Sequence, residues 1–88
     1  MVEKYGFKNR QCIGDSIRWL KEEADTFCWL TLTYIMRDKE WTIMVNYRKR
    51  GIHISRFIPN LSKQEVRERL EGILDNFFKI VEFSKTLD

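Results

Sequence analysis

Thr26-Phe27-Cys28-Trp29-Leu30-Thr31-Leu32-Thr33-Tyr34-Ile35-Met36 is the stretch on which the fold turns. Its Thr, Trp, Tyr, Leu and Ile residues favour extended backbone, and no glycine or proline interrupts them. Strand side chains alternate, so Cys28, Leu30, Leu32, Tyr34 and Met36 share one face, while Phe27, Trp29, Thr31, Thr33 and Ile35 share the other. Arg37-Asp38-Lys39-Glu40 is a polar break. Beyond it Trp41, Ile43, Val45 and Tyr47 alternate with Thr42, Met44, Asn46 and Arg48 in a second strand. Arg48-Lys49-Arg50-Gly51 reads as the next turn, and Ile52-His53-Ile54-Ser55-Arg56-Phe57 as a third strand. Turns of even length pair Met36 with Trp41, Tyr34 with Ile43, Leu32 with Val45 and Leu30 with Tyr47. The second turn then pairs Tyr47 with Ile52 and Val45 with Ile54. Every pair is apolar and lies on one face. A one-residue slip would scatter them, so a meander of order 1-2-3 is expected.

Working outward, Ile13, Ile17, Leu20 and Ala24 recur at helical spacing, which predicts a helix over residues 10–24. Asn9, or Asp15 after Gly14, would be its N-cap. Residues 1–9 read as an N-terminal arm with Tyr5 and Phe7 as anchors. On the other side of the meander (residues 26–57), Pro59 is expected to stop the strand. Ser62-Lys63-Gln64-Glu65 then forms a capping box, with Leu61 and Val66 at the positions of a hydrophobic staple. Val66, Leu70, Ile73, Phe77 and Ile80 carry this helix over residues 62–83. Leu74, Phe78, Val81 and Phe83 make its last turns apolar nearly all round, which calls for a neighbour, either the first helix or another subunit. Gly72 is a place where a backbone could approach closely. The expected fold is a single α+β domain: a two-layer sandwich in the order helix, three-stranded meander, helix, with both helices on one sheet face.

The chain has 88 residues, 43% of them hydrophobic and 14% aromatic, a composition that suits a folded domain rather than a disordered chain. No run approaches the roughly 18 apolar residues that span a bilayer, and Met1-Val2-Glu3-Lys4-Tyr5-Gly6 lacks the apolar core of a signal peptide. Cys12 and Cys28 are far apart and each falls among apolar residues, so both read as buried free thiols of a cytoplasmic protein.

Catalytic chemistry finds little support. His53 is the one histidine, and it has no carboxylate within a few residues of it and no serine in a Gly-x-Ser-x-Gly setting. Cys12, Cys28 and His53 lack zinc-ligand spacing, and the four glycines make no phosphate loop. Neither enzyme, metal nor cofactor is expected.

Two features favour binding instead. Between Trp41 and Gln64 stand Arg48, Lys49, Arg50, Arg56 and Lys63, with no acidic residue, and three of these crowd the tip of the second hairpin. Such a basic finger suits an acidic protein surface or nucleic-acid phosphates. The sheet face away from the helices carries Phe27, Trp29, Met44, His53 and Phe57 and is unusually apolar for a solvated face. Trp29 is expected opposite Arg48 and Phe27 near Arg50. That face would be covered by a protein partner or a second copy, by the N-terminal arm, or by stacked bases.

The helix-strand-strand-strand-helix order resembles that of the double-stranded RNA-binding domain and of the small RNA-binding proteins of the signal recognition particle. The resemblance is one of architecture. Where the former would carry Gly-Pro-x-His-like residues and a lysine cluster, this chain has Arg37-Asp38-Lys39-Glu40 and Lys63-Gln64-Glu65-Val66-Arg67-Glu68-Arg69.

The sequence thus points to a small non-enzymatic protein-binding module, a homodimer. It would regulate or inhibit a partner with an acidic surface, including a nucleic-acid enzyme, through Trp29, Met44, Arg48, Lys49, Arg50, His53 and Arg56. A phage or mobile-element origin would suit its size. The alternative is direct binding of RNA or DNA by the same surface.

Overall fold

The computed structural model describes residues 2–23 and 25–87. Ala24, the last position assigned to the first helical stripe, lies outside the described residues, as do Met1 and Asp88. A 3-10 turn, Val2–Tyr5, leads into five strands: β1 (Lys8–Ile13), β2 (Ser16–Glu23), β3 (Thr26–Ile35), β4 (Glu40–Lys49) and β5 (Ile52–Leu61). The helix α1 (Lys63–Lys85) follows. The strands form one antiparallel sheet in the order β1-β2-β3-β4-β5.

This overturns the helix-meander-helix sandwich. Residues 10–23 make no helix; they are most of a hairpin. Gly14-Asp15 is its two-residue turn, flanked by the pair Ile13 and Ser16, and Gly14 has φ +56°. That is where a type II′ turn places its glycine. The helical spacing of Ile13, Ile17 and Leu20 was therefore incidental, because Ile17 and Trp19 point to the α1 side while Leu20 points away. With the first helix gone, the architectural resemblance to the RNA-binding domains lapses as well.

The meander keeps the expected faces but not the expected partners. Tyr34 pairs with Trp41, Leu32 with Ile43, Leu30 with Val45 and Cys28 with Tyr47, an offset of two residues. The first turn is Met36–Lys39, not Arg37–Glu40. Asp38 N–H bonds back to the Ile35 carbonyl at 3.2 Å, and Lys39 takes φ +54° to re-enter the ladder. The second turn is Arg50-Gly51 alone, with φ +21° and +78°, the positive pair that a type I′ hairpin requires. Lys49 therefore pairs with Ile52, and Tyr47 with Ile54. Pro59 does not stop β5, which runs on to Leu61 through an irregular register and Asn60 at φ +62°. An edge strand tolerates a proline there.

α1 matches its sequence signals. The Ser62 hydroxyl accepts from Glu65 N–H at 3.1 Å, and the Glu65 carboxylate accepts from Ser62 N–H at 3.1 Å. Leu61 and Val66 are both buried beside this cap. Leu70, Leu74, Phe77 and Val81 close a core with Leu30, Ile43 and Val45 of the sheet. Gly72 takes no part in a close approach, since a side chain there would meet nothing within 4 Å.

The N-terminal segment packs beside α1. Phe7 is 1% exposed, and the Tyr5 ring stacks on Phe78 at 5.7 Å. The Tyr5 hydroxyl donates to the Asp75 carboxylate at 2.5 Å. The neighbour that the apolar end of α1 demanded is partly this segment, although Ile80 and Phe83 stay exposed. Cys28 is buried and free; Cys12 is free but exposed, contrary to the expected pair of buried thiols. Among the described residues, no helix is long and apolar enough to cross a membrane.

Candidate functional site

Because α1 and the N-terminal segment lie on one side of the sheet, the other side has no layer over it among the described residues. The reading in which the arm crosses that face is overturned by Phe7, whose burial is on the α1 side with Phe78 5.9 Å away. Register places the uncovered side chains in rows. Glu22, Phe27, Arg48 and His53 form the first, and Leu20, Trp29, Asn46 and Ser55 the second. Arg18, Thr31, Met44 and Phe57 form the third, and Ser16, Thr33 and Thr42 the fourth. Trp29 is thus opposite Asn46, and Phe27 opposite Arg48, again two residues from expectation.

The surface is apolar in the middle and charged at the rim. Phe57 is 62% exposed, Phe27 42% and Met44 36%. Phe27 and Trp29 lean together with ring centroids 5.2 Å apart. Two polar residues near the centre are nonetheless buried by their neighbours. Asn46 is 6% exposed, with its Oδ1 3.4 Å from His53 Nε2. Thr31 is 5% exposed, and its hydroxyl has no hydrogen-bond partner among the described residues. Towards the β1–β2 turn, the Ser16 and Thr33 hydroxyls are 2.9 Å apart.

Of the residues assigned to the site from sequence, Trp29, Met44, Arg48 and His53 come together on this face. Lys49 and Arg56 pair with Ile52 and Val45 and so point to the α1 side. Arg50 sits in the turn, with a guanidinium nitrogen 3.3 Å from Asp25. The basic finger is therefore divided: one charge on the open face, two on the opposite face, and one already facing a carboxylate. Arg18 and Leu20 belong to the face but were hidden by the helical reading of β2. Gly14-Asp15, a two-residue turn pair followed by the alternation of Ile17 and Trp19 with Arg18 and Leu20, is the signal that would have found them.

This arrangement offers contact area: apolar and aromatic side chains bordered by charged ones. His53 meets an amide oxygen rather than a carboxylate or a nucleophile. Among the described residues, no group of three or more His, Cys, Asp or Glu side chains is placed to hold a metal ion. Set against known protein families, curated proteins and solved structures, the chain matches none of them.

Proposed function

We propose that this chain is a non-enzymatic binding module that docks its open sheet face on another protein and regulates or inhibits that partner by occupying its surface. The observation that carries this reading is the placement of Phe27, Trp29, Met44 and Phe57 on a sheet face with no covering layer. A contiguous apolar patch with a charged rim is the usual mark of a protein contact. Aromatic anchors at its centre supply most of the binding energy in such interfaces. Arg18, Arg48 and His53 at the rim favour an acidic partner and would set its approach and orientation. A second copy of the chain, giving a sheet-to-sheet homodimer, is one version of this reading. Two free cysteines, one of them exposed, suit a cytoplasmic setting.

One observation favours nucleic acid instead: Phe27 lies level with Arg48 and beside Trp29, a stacking platform next to a phosphate-seeking charge. The two readings separate in one experiment. Gel mobility shifts with single- and double-stranded DNA and RNA are run at low and moderate salt, and the protein is sized by light scattering. Affinity capture is then compared between wild type, Trp29→Ala, Phe57→Ala and Arg48→Ala. Docking on protein predicts no shift, and a captured partner or a dimer lost about 30-fold or more by Trp29→Ala or Phe57→Ala. A salt-steep shift removed by Arg48→Ala would replace the protein reading with the nucleic-acid one.

A further inference from the structure

β5 is the last strand of the sheet, so one side of its backbone pairs with β4 and the other faces outward. Lys49 and Ile52 flank a two-residue turn and form the first bonded pair of that hairpin. Alternation along the antiparallel ladder then turns the N–H and C=O groups of His53, Ser55 and Phe57 outward, away from β4. Beside this edge, on the α1 side, runs a groove of about 460 Å³ lined by Ile54 and Arg56 of β5 and by Arg69, Gly72, Ile73 and Ile80 of α1. That volume falls within the roughly 300–1,000 Å³ of ligand-sized clefts. Gly72 leaves the helix side of the groove open, and Ile80 is 51% exposed. Neither Arg56 nor Arg69 has an ion-pair partner among the described residues. The acidic residues Glu71 and Asp75 are directed elsewhere, to Lys4 and Tyr5.

We infer that this edge and groove bind an extended segment of another protein, added to β5 as a sixth strand, with a carboxylate between Arg56 and Arg69 and an apolar side chain over Ile54 and Ile80. The outward backbone groups supply the main-chain bonds of strand addition, and alternate side chains of the incoming strand fall into the groove. The residue level with Arg56 meets two unpaired guanidiniums, so an aspartate or glutamate belongs there. The neighbour two positions away, level with Ile54, belongs to an apolar residue. A second copy of β5 does not fit. The chain has no acidic residue from Trp41 to Gln64, so two such edges would set their arginines against each other without a carboxylate. This site is separate from the open face, which lies on the other side of the sheet.

The test is selection from a displayed library of random linear peptides on the intact protein. The bound peptides are then measured by fluorescence anisotropy and by amide hydrogen exchange. Enriched peptides are expected to place an acidic residue two positions from a Val, Ile or Leu, and to slow exchange at His53, Ser55 and Phe57. Gly72→Leu fills the groove while improving helix propensity, and Ser55→Pro removes one outward donor without touching the β4 ladder. Each should weaken binding about tenfold or more with the thermal midpoint kept, as should the double change Arg56→Ala and Arg69→Ala. No enrichment, peptides without the carboxylate, or full affinity in Gly72→Leu and Ser55→Pro would overturn the proposal. So would binders that map to Phe27, Trp29 and Met44 on the open face.

Discussion

Burial in the core pushes the Cys28 thiol from its ordinary 9.0 up to about 12, Lys21 opposing the shift and Glu23 adding to it. Tyr5 is pushed from 10.0 up to about 12, first by desolvation and then by its hydrogen bond to Asp75. In both cases the protonated, neutral form is the one the fold holds. Their contribution is therefore complete below the unfolded values and is lost as the pH rises from about 9 towards 12. Denaturation midpoints in urea should decline across that window, less steeply in Cys28→Ala and in Tyr5→Phe than in wild type. Parallel declines in all three would show that neither group titrates differently in the folded and the unfolded chain. The contrast with Cys12 gives a second prediction. A disulfide reagent should modify exposed Cys12 quickly in the native protein and Cys28 only on unfolding. Equal rates would mean that the core around Cys28 opens freely.

At the scale of elements, the α1 cap and the strand alternation were legible, whereas the helical spacing of the first segment and the Pro59 stop misled. The α1 cap could be read because Ser62 and Glu65 satisfy each other's backbone donors within one turn. Ser62→Ala should cost about 1 kcal/mol by urea denaturation, and an unchanged stability would show the box to be dispensable. β1 and β2 were missed, because four residues at helical spacing outweighed the turn signal of Gly14-Asp15, whose φ no periodicity reveals. The parity of the meander was legible, but its offset was not. A two-residue slip leaves every side chain on its own face, so only the geometry of Met36–Lys39 and Arg50-Gly51 decides between the registers. Two glycines test this account from opposite directions. Gly14→Ala forces a side chain to φ +56° and should destabilise by about 1–2 kcal/mol. Gly72→Ala, on a helix face with nothing within 4 Å, should stabilise by about 0.5–1 kcal/mol. A harmless Gly14→Ala would argue against the β1–β2 turn.

Across the whole molecule, the open face was legible even though the fold class was not, because a face depends only on alternation in β3, β4 and β5. Phe27, Trp29, Met44, His53 and Phe57 therefore stand where alternation puts them. Arg18 and Leu20 required β2 to be a strand, and placing Lys49 in the β4 ladder with Arg50 in the turn required that turn to be two residues long. The same layout divides the sheet by stability. α1 lies against β4 and β5, β3 is interior and carries core residues, and β1 is exposed along its whole length at the far edge. Amides of β1 should exchange with solvent through local opening, orders of magnitude faster than those of β3 and β4, which open only with the core. β1 protected as strongly as β3 would mean that the far edge is covered, by a second copy or by a partner. With fast exchange in β1 and slow exchange in β3 and β4, Trp29 and Met44 ride on the least mobile strands of the molecule. The proposed docking face would then lose little backbone freedom on binding, because the strands that carry Trp29 and Met44 are already held in place.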